Sequence, residues 1–521
     1  MMIQVVTHLC RKGLNPAGSV LLFNRTRSSM AAAQENLEEI RPYKEVPGPK
    51  PLPILGNTWR FFPYIGEFAD MDINELMSTV AKKYGKIAKI SDLRGINDLV
   101  YVFDPKNVET LLRNEGQWPI RPGLRTLPYY RDILRKDVFN GVVGVIASQG
   151  KQWQDFRSSV NQTLMQPRSA KQYVRPIDDV TIDLINRMQN LKNANGELPP
   201  DFIEHLMRWA LESISVVALD TRLGCLDPDL KQDSEPKKMI SAVNFMFYAF
   251  YELDVKPSLL HFTKRKHWKE LVTSLDTIYE VCMKYIRRSM DRIQSKVEKS
   301  EYEMSVLETL LIKNKDPMIA AVMAMDMMTA GIDTTSHSSA ITLHYLARNQ
   351  DKQEKLFQEL KRVLPSKDEP LTSSKLEEMK YLRACIKESM RISPIVSGTA
   401  RETQNELVIG NYAIPKGVTV MVPSIYMSNS EEHFSQPDKF IPERWLKGDK
   451  LQEKANPFVF LPFGFGPRMC VGRRFAEMEI ECLVARVIRA FRIEYEQDLK
   501  MKSTVINTVV SPLNFKLEDR S

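Results

Sequence analysis

The sequence is poor in the residues that build metal clusters and disulfide frameworks. It has 6 cysteines and 7 histidines among 521 residues. Cys10, Cys225, Cys282, Cys385, Cys470 and Cys482 are scattered, and no two form a CxxC pair. This spacing excludes a zinc ribbon or finger, argues against a disulfide scaffold and suits a reducing compartment. His337 and His344 fall on one helical face, where packing is a commoner role than ligation. No dense basic stripe is interleaved with stacking aromatics, so no nucleic-acid partner is expected. Acid is missing from residues 1–34, and their longest apolar run is Val20-Leu21-Leu22-Phe23. That run is far short of the roughly twenty residues that cross a bilayer. Internal repeats, low-complexity tracts and a second linker are absent as well, which favours one large domain.

What the chain does have is one glycine-rich decapeptide, Phe463-Gly464-Phe465-Gly466-Pro467-Arg468-Met469-Cys470-Val471-Gly472. A lone thiolate in such a loop suits a haem iron that takes one strong axial donor. Glycines let the backbone pass close to a flat ring and aim amides at the sulfur. Arg468 is placed to reach an anionic propionate.

Upstream, Asp316-Pro317 reads as an N-cap followed by proline at the first helical position. No Lys or Arg follows until Arg348. The spacing predicts a helix of about 45 Å, buried over its first half. Asp326, Asp333 and many hydroxyls argue against a membrane span. At its centre lies Ala330-Gly331-Ile332-Asp333-Thr334-Thr335. Small residues there leave room above a flat cofactor. An acid beside an alcohol can distort the helix ladder, hold water and pass protons.

Glu388 and Arg391 are three apart and share a helix face. Arg444, in Pro442-Glu443-Arg444-Trp445, is placed to complete a buried charge network with them. Trp153 and Arg157 lie one turn apart and offer two donors to a propionate. Patterning predicts a hairpin over 85–103, mostly helix from about 150 to 350, and strands again over 399–422 and 504–517.

The cysteine loop, the acid–alcohol pair and the Glu-x-x-Arg pair with its downstream arginine occur in the order that resembles the cytochrome P-450 family. The resemblance covers roughly residues 35–521. It implies a mainly α fold with small β-sheets, a single haem-enclosing domain over 61–521, and haem b as cofactor. By that resemblance Cys470 is the axial iron ligand, and Phe463, Arg468, Trp153, Arg157 and Arg401 hold the cofactor. Asp333 and Thr334 are then the catalytic pair, and Glu388, Arg391 and Arg444 scaffold the loop. The proline-rich run Val46–Gly56 matches the family's hinge, within an entry segment at 35–60. The implied reaction is NADPH-dependent monooxygenation of a lipophilic substrate, xenobiotic or steroid-like. Two alternatives stay open: a cytochrome P-450 that rearranges peroxides without a reductase, and a haem-binding sensor or carrier without catalysis.

Residues 1–34 carry Arg11, Lys12, Arg25 and Arg27 with frequent hydroxyls, the pattern of a mitochondrial transit peptide. Without them the net charge of +8 falls to +4. Arg473-Arg474 after Cys-x-Gly resembles the mitochondrial branch. The segments Asn114–Pro119 and Glu212–Gly224 resemble its arthropod members most. Arg383 and Lys387 resemble the basic positions that meet an acidic [2Fe–2S] ferredoxin, itself reduced by NADPH–ferredoxin reductase. The implied location is the matrix side of the inner membrane. Peripheral contact there would use Phe245–Tyr251, Pro257–Leu260 and the basic Lys264-Arg265-Lys266.

Overall fold

The computed structural model describes residues 40–256, 265–295 and 304–520. The leader at 1–34 and the stretch Pro257–Lys264 lie outside those residues.

Asp316 starts the central helix, Pro317–Arg348, by accepting the Met318 N–H at 2.8 Å. Proline at the first position has no N–H to leave unpaired. Every residue from Ala320 to Thr329 is buried, so this half runs through the core. It packs along the helix Phe202–Ala218. Gly331 permits that approach, since a Cβ there would stand 3.0 Å from Ile214 Cγ1. The glycine therefore serves helix packing rather than room above a cofactor, and the small residue that faces open space is Ala330.

The sheets are small and gather both ends of the chain. The 85–103 segment forms the antiparallel pair Ile87–Ile90 and Leu99–Val102. Leu99–Val102 then pairs in parallel with Thr419–Val422, which pairs antiparallel with Thr399–Glu402. Arg401 thus sits on an edge strand, opposite Val420. Helices fill the middle of the chain as the periodicity predicts. The C-terminal strands pair as Met501–Ser503 with Asn507–Val509 and Phe491–Glu494 with Lys516–Asp519.

The proline-rich segment is fastened down rather than loose. Lys89 N donates to Pro47 O at 2.7 Å, and Asn57 Nδ2 donates to Pro49 O at 3.1 Å. Gly48 lies so close that a Cβ would be 2.0 Å from Lys89 O. Among the described residues no helix is long and apolar enough to cross a membrane.

Candidate active site

The described cysteines are all free, and of these Cys470 alone is exposed. Its loop needs left-handed backbone at Gly464 (φ 73°) and Gly466 (φ 72°), which only glycine adopts cheaply. The loop closes where Cys470 N donates to Phe463 O at 2.9 Å. Gly472 then caps the helix Arg473–Ala490, leaving Cys470 beside a helix N-terminus. Burial by surrounding protein raises the thiol's pKa, so its exposure is to an interior space. The Gly472 N–H and the guanidiniums of Arg157 and Arg121 pull the pKa back. The net direction is upward, so what suits Cys470 to ligation is its open sulfur, unlike the buried thiols of Cys225, Cys282, Cys385 and Cys482, and a metal ion against it would supply the charge that deprotonates it.

Four arginines converge on this space. Arg468 donates Nε to Pro119 O at 2.9 Å, and Nη2 to Ser148 O at 3.0 Å and Gln149 Oε1 at 2.6 Å. Its plane lies 4.1 Å over the Trp153 ring. Its Nη1 is buried and has no partner. Burial pushes Arg468 down to about 8, and Arg121, Arg401 and Arg157 push the same way. A buried, cation-rich cluster with an orphaned guanidinium N–H calls for an anion. Two haem propionates fit that demand, and the exposed Cys470 sulfur fits the iron.

Thr334 is half-buried on the central helix, one turn on from the exposed Ala330, and its hydroxyl donates to Ala330 O at 2.6 Å. Asp333 is buried, and burial raises its carboxyl to about 7. Asn244, on the helix Glu235–Phe250, turns its amide to it. With the NH2 facing the acid, it lies 3.0 and 3.1 Å from the two carboxylate oxygens. Behind the pair, Glu479 is buried in the helix that follows Cys470. Burial raises it to about 8, Thr335 is its hydrogen-bond partner, and one oxygen is left unpaired.

Comparison with known proteins agrees with this geometry. A family model described as cytochrome P-450 matches residues 46–518. The chain belongs to the cytochrome P-450 family. It is a haem-thiolate monooxygenase of that family. It is 39% identical to probable cytochrome P-450 49a1 of Drosophila melanogaster, over 96% of this chain and 87% of that protein. It is 39% identical to cytochrome P-450 CYP12A2 of Musca domestica, over 95% and 94%. It is 40% identical to "probable cytochrome P-450 12a5, mitochondrial" of Drosophila melanogaster, over 92% of each.

In this cytochrome P-450, Glu388 is fully buried and saturated. It accepts from Arg391 Nε at 3.0 Å and Nη2 at 2.9 Å, and from Arg444 Nε at 2.9 Å. Ile441 N at 3.0 Å and Trp445 Nε1 at 2.8 Å complete its shell. Arg391 also donates to the carbonyls of Ser428 and Pro437, at 2.9 Å each. The network therefore holds the strand-poor segment 428–445 against the helix Lys380–Ile392.

The basic residues expected at a partner face divide into two kinds. Lys387 and Arg474 are exposed, though Arg474 Nε also reaches Met165 O at 2.7 Å. Arg473 pairs with Glu477 at 3.0 Å and lies over Phe463. Arg383 is half-buried and engaged. It donates to Glu481 at 3.0 Å, to Leu376 O at 2.5 Å and to Glu377 O at 3.2 Å.

Arg401 likewise spends its donors inside the protein. It pairs with Glu115 and donates to Thr399 Oγ1 and Ala400 O, each at 2.9 Å. Arg157 donates to Asn161 at 3.1 Å. Sequence reasoning missed Glu115, Arg121, Asn244 and Glu479. Each acts by a contact distant in sequence, and no motif spacing signals it.

Proposed function

We propose that this cytochrome P-450 hydroxylates a lipophilic small molecule, xenobiotic or steroid-like, in the mitochondrion on the matrix side of the inner membrane. Electrons come from NADPH through ferredoxin reductase and a [2Fe–2S] ferredoxin. Residues 1–34 are a transit peptide, 35–60 an entry segment and 61–521 the haem domain. Several relatives are named as mitochondrial, which supports the location. Leu52 and Ile54 in the entry segment, and Tyr64 and Ile65 just after it, are exposed, which supports peripheral docking on a membrane.

One observation carries the reading of the site: the single exposed cysteine among the described ones lies beside a cluster of buried guanidiniums. Cys470 is the axial ligand. Arg468 offers its unpaired Nη1 to a propionate, with Arg121, Arg157, Trp153 and Arg401 around it and Phe463 closing the loop. Glu388, Arg391 and Arg444 hold that loop in place. When bound, haem b supplies dioxygen activation and transfer of one oxygen atom to a C–H bond.

The chain's own residues manage protons and electrons. Thr334, half-buried on the central helix, holds water through its hydroxyl. Asp333, raised to about 7, is poised to carry a proton near neutral pH and delivers it past Thr334. Lys387, Arg473 and Arg474 offer a basic face to an acidic ferredoxin, and Arg383 orders Glu481 beside it.

The test is the rate at which the ferric protein is reduced under carbon monoxide. One arm uses ferredoxin with its reductase, the other a microsomal diflavin reductase. A thiolate-type Soret band forming fast only with ferredoxin is the expected result. Fast reduction only by the diflavin enzyme overturns the partner and the location, and an imidazole-type band overturns Cys470. A thiolate-type band without NADPH-driven turnover from either chain would favour a sensor, or a peroxide-rearranging enzyme if peroxides are consumed.

A further inference from the structure

Glu115 is a carboxylate set within the arginine cluster beside the cysteine loop. It is buried, and its Oε2 pairs with Arg401 Nε. Its Oε1 has no hydrogen-bond partner. That oxygen occupies the place of a side chain on the loop: a Cβ on Gly466 would lie 2.5 Å from it. Arg401 also reaches the loop, with Nη2 at 3.4 Å from Phe465 O. The carboxylate therefore touches both the arginine and the turn that presents Cys470. A buried unpaired carboxylate oxygen is costly, and its retention beside four guanidiniums needs an electrostatic reason.

Arg121, Arg157, Arg401 and Arg468 bring four positive charges to one buried space. Two propionates supply two negative charges, so without Glu115 the cluster stays strongly cationic. At low dielectric, a single charge near the cofactor shifts the balance between its oxidation states.

We propose that Glu115 is a positioning residue of the cofactor site: it fixes Arg401 against the cysteine loop, and its negative charge sets the reduction potential of the bound haem. This rests on the haem site proposed above. Removing the charge leaves Arg401 uncompensated and favours the more electron-rich ferrous state, so the potential moves in the positive direction. Neutralising Arg401 acts in the opposite direction.

The experiment is an equilibrium redox titration of the haem-loaded full chain, using mediator dyes at fixed pH. Glu115→Gln should shift the midpoint positive, Glu115→Asp should stay near the parent, and Arg401→Gln should shift it negative. The double variant Glu115→Gln/Arg401→Gln should return close to the parent value, because the two charges cancel. An unchanged midpoint in Glu115→Gln, or shifts that fail to cancel in the double variant, overturns the proposal. If Glu115→Gln alone does not retain haem, recovery of haem by adding Arg401→Gln supports it, and no recovery overturns it. A parent protein without a thiolate-type ferrous carbonyl band overturns the haem site itself, a result distinct from any of these.

Discussion

Asn244 and Asp333 face each other between two helices, with the amide 3.0 and 3.1 Å from the two carboxylate oxygens. The relationship suits either protonation state. An ionised Asp333 accepts from the amide NH2, and a neutral Asp333 donates to the amide oxygen once the group turns over.

Asp333 should leave a signature in stability against pH. Its folded carboxyl is raised to about 7, while unfolded aspartate titrates near 3.9. Below pH 4 it is neutral in both states and contributes nothing. Between pH 4 and 7 the unfolded chain ionises first, so the cost of keeping it buried grows, and above 7 that cost is constant. Asp333→Asn is therefore expected to gain thermal stability over the parent progressively from pH 4 to 7, then to hold a constant advantage. Paired melting curves at each pH check this, and a flat difference would remove burial as the cause.

Thr334→Ala is expected to keep the haem and its thiolate-type spectrum while uncoupling NADPH use from product. The hydroxyl lies on the open side of the helix, so its loss leaves the core intact. Removing an oriented proton-transfer group typically costs about 10²-fold or more. Product formed per NADPH consumed is the measurement. Fully coupled turnover would take Thr334 out of its role.

Glu388→Gln should be severe. Arg391 would be left a buried charge held by carbonyls alone, while Arg444 keeps Glu453, and breaking such a network costs about 3–5 kcal/mol. The exposed pair Lys151 and Asp155, at 2.7 Å, is the control. Asp155→Asn should cost less than about 1 kcal/mol because solvent screens it. Urea midpoints of the haem-loaded variants compare the two, and equal losses would mean that the Glu388 network is not under strain of burial.

The central helix was legible to the residue because its signals are local. Asp316 and Pro317 set the start, and a run without Lys or Arg extends to Arg348. The 85–103 hairpin and the strands at 399–422 were legible for the same reason. The pairing of those strands with each other was not, since Val420 meets Val100 across 320 residues of chain. Motif residues such as Cys470 and Glu388 announce themselves by spacing. Glu115 and Asn244 do not, because their meaning comes only from Arg401 and Asp333, which folding brings to them. Gly331 shows the reverse error: its smallness is visible in sequence, but only Ile214 reveals what it makes room for.

Arg383 and Lys387 sit one turn apart on the same helix, yet they should behave differently in electron transfer. Arg383 is tied to Glu481 and two carbonyls, so a docking partner gains little from it without breaking those bonds. Lys387 is exposed and can meet an acidic surface. Lys387→Glu and Arg474→Glu are each expected to slow ferredoxin-driven reduction roughly tenfold at low salt, through the association step. The difference should fade as ionic strength rises past 0.1 M, where the screening length is about 10 Å. Arg383→Gln should instead lower thermal stability, by removing the cation beside Glu481 and the donor to the Glu377 carbonyl, with a smaller effect on the rate. Stopped-flow reduction under carbon monoxide across a salt series separates the two behaviours. Equal rate losses for all three variants would place Arg383 in the docking face after all, and no loss in any would move the ferredoxin to another surface.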